Sequence, residues 1–460
     1  MNRSIAIVTA ARGVSLALGI VLLAVLGRRL GPAGFGDLQF ALAVMAYPTL
    51  LVDLGLTTLG LRELARGAPA REVIRLVVGA RLVLAAVVTS VVVLLAVVAR
   101  LDPDLGVIYV VLALGLPASA LNARWILQGE QRFGRAAAVD VATAVAQLAA
   151  AVVLVHDAGD VGRAAAALTA GAWLMALASI LVAGGFRRVR PRLGRDIPRT
   201  IARSLPLGAA AIAITVYYSI DTVLLGLLRT SEEVAFYAAA YRLILPILGL
   251  AGAVATVGVA HLSALHASDP PAADRAAVLL ARRLLALALP VAAGGSLAAQ
   301  PLIDLVYGPD FSAAAAPFRI LIWSVATVYA NAAFAFLLLA RGADRRYLLA
   351  TASGAALNVC LNLVAIPVAG MLGAAVVTIC SEVVVLCLLL WWTRDVSVRG
   401  LLTAVRAAAL PTVVMSLPVW MLRESIAAVP IGALVYGVVA VLTGALPIRE
   451  LLRRSERQGM

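Results

Sequence analysis

Lysine is missing from this 460-residue chain, and charge of either sign is scarce. All 38 basic residues are arginine, set against 24 acids, and charged residues make up only 13% of the chain, roughly half the share a soluble domain carries. Aromatics are 5% of the residues, and there are three histidines and three cysteines. Each scarcity excludes something. Without lysine, no phosphate-binding loop of the G-x-x-x-x-G-K-[ST] type can form, which removes ATP hydrolysis by that motif. Cys360, Cys380 and Cys387 lie inside apolar runs with no ligand spacing, so they read as small apolar packers rather than a disulfide framework or a metal site. His261 and His266 are expected in a solvated loop and His156 at the end of a span, none with a second ligand at metal spacing. No metal and no cofactor is expected. No connecting segment is long enough to fold as a soluble domain.

What the chain has instead is apolar length, with 63% of residues hydrophobic. Runs near 20 residues recur from end to end, and at a helical rise each spans about 30 Å of hydrocarbon. Backbone groups in lipid must bond within their own segment, and the alternating pattern of a barrel is absent, so the spans are helices. The fold class is an all-α polytopic membrane protein of fourteen spans, at 5–27, 38–60, 74–99, 106–127, 136–155, 164–184, 203–228, 234–260, 280–302, 315–340, 347–366, 370–392, 401–422 and 428–447. The first run is not a cleaved signal, because Arg12 interrupts it and no small-residue cleavage site follows.

The arginines orient these spans. Segments on the side of the N-terminus hold 29 of them, the opposite side holds 7, and Arg81 and Arg242 lie within spans. That asymmetry places both termini in the cytoplasm, in a cytoplasmic (inner) membrane. It also accounts for the net charge of +14 without invoking nucleic acid. The longest connector, 185–202, carries seven arginines when Arg203 just after it is included, and joins two halves that look related. "LQGEQRFGRAAAVDVATAVAQLAAAVVLV" from 127 resembles "LARGADRRYLLATASGAALNVCLNLVAI" from 339, with Gly129 on Gly342 and Arg132 on Arg345; a two-residue slip then brings Gly162 onto Gly373. The expected organisation is an N-terminal lobe at 1–184, a cytoplasmic linker at 185–202, a C-terminal lobe at 203–392, and two appended spans with a tail at 393–460. An even number of spans per half gives parallel repeats, the two-lobe plan of many transporters, with substrate between the lobes.

Several stretches resemble the polysaccharide biosynthesis flippases of the multidrug/oligosaccharidyl-lipid/polysaccharide (MOP) exporter superfamily. They are "GRRLGPAGFGDLQFALAV" at 27–44, "LLVDLGLTTLGLRELAR" at 50–66, "YYSIDTVLLGLLRTSEEVAFYAAAYRL" at 217–243, "PLIDLVYGPDFSAAAAPFRIL" at 301–321 and "ALNVCLNLVAIPVAGMLGAAVVTICSE" at 356–382. The resemblance implies a V-shaped, two-lobed helical protein that moves an isoprenoid-diphosphate-linked oligosaccharide from the inner to the outer leaflet. Glycosyltransferases and a polymerase would then be its working neighbours.

Charges inside the spans are the candidate site. Asp221 lies about 10 Å from the outer end of span 7, and Arg242 about 12 Å into span 8 from the same face. The spans are antiparallel, so the two depths match. The pair is either a fixed clamp or faces the cavity, where Arg242 would meet the diphosphate and Asp221 would exchange a coupling cation, proton or Na⁺. Arg12, Asp53 and Arg81 form a similar set near the opposite face. Two bases and one acid leave positive charge where a diphosphate would enter, and guanidinium groups bind phosphate oxygens bidentately; the alternative is snorkelling to the interface. Glu382 is the deepest acid, a candidate proton site or a neutral acid hydrogen-bonded to the next helix. Asn358 and Asn362 share one face of span 11 and either line the cavity or tie helices together. Asp140 and Gln147 share a face of span 5, with Asp140 interfacial. Pro117 with Gly115, Pro206, Pro246, Pro290 and "AAGGS" at 292–296 interrupt spans, which lets helices bend. "LDPDL" at 101–105 reads as a turn stiffened by Pro103.

Three functions remain open. A flippase needs no catalytic group, so the chain is not expected to be an enzyme. A cation-coupled drug antiporter of the same superfamily would want an acid-rich cavity, whereas intramembrane bases and acids stand here at parity. A membrane glycan polymerase or ligase would want a large outer loop.

Overall fold

The computed structural model describes residues 2–98, 103–443 and 445, and helices joined by turns account for all of them, with no strand among the described residues. Ten described stretches are long and apolar enough to cross a membrane, so this is a multi-pass membrane protein. The tail arginines, Arg100 and the start of "LDPDL" lie outside the described residues; Pro103 opens a helix.

The chain divides into two compact units, Met1–Ala235 and Phe236–Met460. In the first, α1 (Asn2–Asp53), α2 (Leu56–Ala65), α3 (Ala70–Val98), α4 (Pro103–Ala113), α5 (Leu116–Leu121) and α6 (Arg124–Gly129) are followed by α7 (Phe133–Leu154), α8 (Val161–Ala183), α9 (Phe186–Val189) and α10 (Asp196–Leu228). Helix α11 (Ser231–Ser268) begins in the first unit and continues in the second. The second unit adds α12 (Pro270–Leu297), α13 (Ala299–Tyr307), a 3₁₀ turn at Pro309–Ala314, α14 (Ala315–Leu321), α15 (Ser324–Ala340), α16 (Asp344–Trp392), α17 (Ser397–Met421) and α18 (Ala428–Leu442).

Two of these runs are each two helices. Gly31 (φ 65°, ψ 177°) breaks α1, and Gly370 (φ 53°, ψ −135°) breaks α16. Only glycine enters those regions freely. Pro32 follows Gly31 with its φ already helical, the usual place for proline at a helix start. Gly308 (φ 91°, ψ 174°) and Pro309 repeat the device before the 3₁₀ turn. The two halves of α16 run antiparallel and close together: a Cβ on Gly354 would meet Val385 at 2.3 Å, and one on Gly373 the Ala365 carbonyl oxygen at 2.4 Å.

Span 4 breaks at residues 114–115, where Gly115 and Pro117 place an interruption. Other breaks fall where the sequence did not place them: span 2 at Leu54 and Gly55, span 4 again at residues 122–123, and span 10 at residues 322–323. Conversely, helix continues through Pro206, Pro246, Pro290 and residues 292–296. A proline removes one backbone bond, which neighbouring helices tolerate. His261 and His266 sit on the last turns of α11 rather than in a loop. The three cysteines are exposed on α16 rather than packed between helices.

Packing follows residue size. On α12, Ala273, Ala277, Ala281, Ala288 and Ala292 are fully buried, and this helix packs on α15 and α17. Small residues let backbones approach, the main source of helix association in lipid. The opposite faces are large and apolar: on α3, Leu94, Leu95, Val97 and Val98 are all about 60% exposed or more.

Candidate functional site

Arg81 on α3 is 6% exposed. Its Nη2 donates to the Ser119 carbonyl at 2.5 Å and its Nη1 to that of Asn122 at 3.2 Å. Both carbonyls lie where α5 ends, and Asn122 leaves the helical region at ψ 111°. The Ser119 carbonyl also accepts from Asn122 N at 3.2 Å; a helix end leaves its acceptors short of donors, and the buried guanidinium supplies one to each. Its Nε lies 3.2 Å from Asp53 Oδ1 at the end of α1. That contact is an ion pair without a hydrogen bond, since the Nε proton is not aimed at the oxygen. Thr57 also bonds the Asp53 carboxylate, from the first turn of α2. Two of the three charges expected near this mouth thus meet. Arg12 is exposed on α1 and joins no ion pair among the described residues.

The second half of α1 packs antiparallel on α10 along its length. Gly36 lies against Ser231, Gly226 against Phe40, and Gly208 against Leu54 and Gly55. Ser219 and Tyr47 place their hydroxyl oxygens 3.3 Å apart between them, and Ser231 Oγ donates to Asp37. Asp221 is 5% exposed on α10, one turn before the fully buried Leu225.

In the second unit Arg242 is half-buried on α11, within electrostatic reach of the Tyr241 and Tyr307 phenols. Tyr307 Oη donates to the Ala239 carbonyl at 3.3 Å and its ring stacks on Phe311 at 5.2 Å, which ties the "YGPDF" stretch to α11. Glu382 is 7% exposed and its Oε2 accepts from Asn331 Nδ2 on α15 at 2.7 Å. Asn358 and Asn362 are buried on one face of α16 and bonded to each other at 3.2 Å. Asp140 binds Arg124 bidentately at 2.6 and 2.7 Å. Asp221 falls in the first unit and Arg242 in the second. No group of three or more potential metal ligands occurs among the described residues.

Sequence reasoning missed Asn331, Ser119 and Asn122. The signal for Asn331 was present: it is the single amide in the apolar run "SVATVYANAAFAFLLLA". The register of the two halves also needs correction. Gln131 N donates to Gln128 O and Arg132 N to Leu127 O, as Gly342 N does to Leu339 O and Ala343 N to Leu338 O. Gln131 (φ 58°) therefore occupies the place of Gly342 (φ 69°), two residues on from the expected match with Gly129. Glycine usually fills this left-handed position after a helix, and Gln131 breaks that habit. In this register Gly162 meets Gly373 without a slip, and Gln147 and Gly171 fall on Asn358 and Glu382.

Residues 1–260 match the family described as "Polysaccharide biosynthesis protein". The chain belongs to the polysaccharide biosynthesis protein family. No curated protein matches it by sequence. Among solved structures, this family member resembles the lipid II flippase MurJ in an inward closed conformation, at 13% identity and a TM-score of 0.79, over 97% of this chain and 99% of that one. It also resembles an inward-facing multidrug resistance MATE transporter of the MOP superfamily, at 16% identity and a TM-score of 0.63, over 83% of this chain and 94% of that one. A MATE protein in a bent conformation follows at 16% identity and a TM-score of 0.54, over 88% and 97%. The polysaccharide biosynthesis protein thus has the MOP-superfamily fold.

Proposed function

We propose that the chain is a flippase that carries an isoprenoid-diphosphate-linked oligosaccharide across the cytoplasmic membrane for cell-surface polysaccharide synthesis, by alternating access. The observation that carries this reading is membership of the polysaccharide biosynthesis family; a fold like that of a lipid II flippase over 97% of the chain supports it. Crossing the bilayer makes and breaks no covalent bond, so the task is to shield a multiply charged headgroup from hydrocarbon. Arginine suits it, being permanently charged and planar. Lobes at 1–184 and 203–392 would rock about the linker 185–202, with 393–460 appended and both termini cytoplasmic. Arg12, Arg81, Arg242, Asn358 and Asn362 would hold diphosphate and glycan. Asp53, Asp221 and Glu382 would balance charge or exchange a proton or Na⁺. Arg242 is half-buried within electrostatic reach of the Tyr241 and Tyr307 phenols, and the Arg81 Nη1 and Nη2 bond helix-end carbonyls. Working partners would be glycosyltransferases and a polymerase.

Arg242→Ala is expected to abolish surface glycan in a producing cell, and Asp221→Asn to reduce it less completely. Normal glycan with both substitutions would remove these residues from the mechanism. The MATE-like fold favours a second reading, cation-coupled drug efflux. Under it the same cells would lose drug resistance and keep their glycan.

A further inference from the structure

We propose that Glu382 is a proton-binding carboxylate and that Asn331 serves both of its protonation states by turning its amide end for end. This deepens the flippase reading, and its link to transport rests on that reading. Glu382 lies within the apolar second half of α16 and is 7% exposed. Asn331, on α15, is equally buried. Its Nδ2 donates to Glu382 Oε2 at 2.7 Å and to the Glu382 carbonyl at 3.2 Å. Its Oδ1 is enclosed and has no partner among the described residues. Burying an amide oxygen without a bond is costly, so its retention beside an acid calls for a use.

The chemistry of the amide supplies one. Arginine can only donate, so beside an acid it locks the ionised form. Asparagine donates through Nδ2 and accepts through Oδ1, and its terminal torsion is broad and two-fold. With Glu382 ionised, Nδ2 donates to Oε2. When Oε2 takes a proton from water, a half-turn of the amide brings Oδ1 to the place Nδ2 held. The new acid O–H then donates to Oδ1 across the same 2.7 Å gap. Loss of the proton to water reverses both steps. The bond between the two side chains survives in either state, while the half-turn gives up the Asn331 bond to the Glu382 carbonyl, so the two orientations are distinguishable and the exchange is reversible.

Helices α14 and α15 pack on α16, and α12 packs on α15; the titratable and charged groups they carry are Arg319, exposed, on α14, Tyr329 on α15, and Asp274, Arg275, Arg282 and Arg283 on α12, with Cys380 on this stretch of α16 and Tyr237, Tyr241 and Arg242 on α11. Tyr329 is turned away, bonding the Ile247 carbonyl at 2.7 Å. Tyr237 bonds Thr378 at 3.3 Å, one turn before Glu382 on the same helix face. Helix α11, which carries Arg242, thus touches the stretch that takes the proton.

The test is infrared difference spectroscopy of the purified full-length protein between acidic and alkaline buffer, which needs no substrate. A protonated-carboxyl band that disappears on raising the pH is expected, together with a change in a side-chain amide band. Glu382→Gln should abolish the carboxyl band. Asn331→Leu should move its midpoint to higher pH, because the ionised form loses the donor that Asn331 supplies, and should abolish the amide change. A difference spectrum unaltered in Glu382→Gln would overturn the proposal, and an unaltered midpoint in Asn331→Leu would overturn the part given to Asn331. If Glu382→Gln does not fold, Asn331→Leu decides alone. Failure of the flippase reading would show separately, as normal surface glycan in cells lacking the protein while the band persists.

Discussion

Arg81 and Glu382 show that a charge in an apolar helix is legible, and with Arg81 its charged partner Asp53 too, while the neutral partners are not. Both stand out in the sequence, yet Arg81 is held by carbonyls 38 and 41 residues away and Glu382 by an amide 51 residues away. Only the packing of helices brings these together. Arg81→Ala would take the paired cation from Asp53 and one donor from each of two helix-end carbonyls. Removing one member of a buried pair costs roughly 3–5 kcal/mol, so a large fall in Tm is expected in detergent, with Arg81→Lys recovering only part; an unchanged Tm would refute the capping role. Asp160, between α7 and α8, gives a pH-dependent case. It accepts from the His156 backbone N–H at 2.7 Å, from that of Asp157 at 3.3 Å and from Arg163 at 2.6 Å. These bonds, the one from His156 first, hold its carboxyl below the usual range. A depressed folded-state pKa means stability that is present above the ordinary aspartate range and lost as pH falls through the folded value. Wild-type Tm should therefore drop in acid, while Asp160→Asn should start lower at neutral pH and respond less. Parallel acid curves for the two proteins would contradict this.

The helices themselves were readable, because hydrocarbon thickness sets their length and apolar composition marks it. Their breaks were not. Leu54 and Gly55 interrupt span 2 where Gly55 must lie against the Gly208 backbone, with a Cβ only 2.5 Å from the Gly208 nitrogen. That demand comes from another helix and leaves no local trace, whereas Gly115 with Pro117 does mark a break and Pro206, Pro246 and Pro290 are absorbed. The α1–α10 seam gives a graded test. A Cβ on Gly36 would lie 1.8 Å from the Ser231 carbonyl oxygen, a backbone atom. One on Gly226 would lie 2.1 Å from the Phe40 ring, a side chain that can rotate. Overpacking costs typically 1–3 kcal/mol, and Gly36→Ala should lie at or above the top of that range while Gly226→Ala stays below it. Melting curves in which Gly226→Ala is the weaker protein would reverse the packing argument.

For the molecule as a whole, apolar length identified a multi-pass helical protein, and the stretches "GRRLGPAGFGDLQF" and "YGPDFSAAAAPFRIL" pointed to its superfamily. Their glycine–proline pairs prove to be structural devices: Gly31–Pro32 and Gly308–Pro309 set positive-φ starts to new segments. Such backbone requirements outlast side-chain divergence, which is how a fold can persist at 13% identity. Ligand chemistry is carried by a few side chains, so the sugar left no comparable mark. The most direct measurement is to deplete the protein in its producing cell and analyse lipid-linked intermediates in each leaflet. The flippase account predicts that an isoprenoid-diphosphate-linked oligosaccharide collects on the cytoplasmic side as surface polysaccharide falls. Depletion that leaves polysaccharide at its normal level with no intermediate accumulating would contradict it.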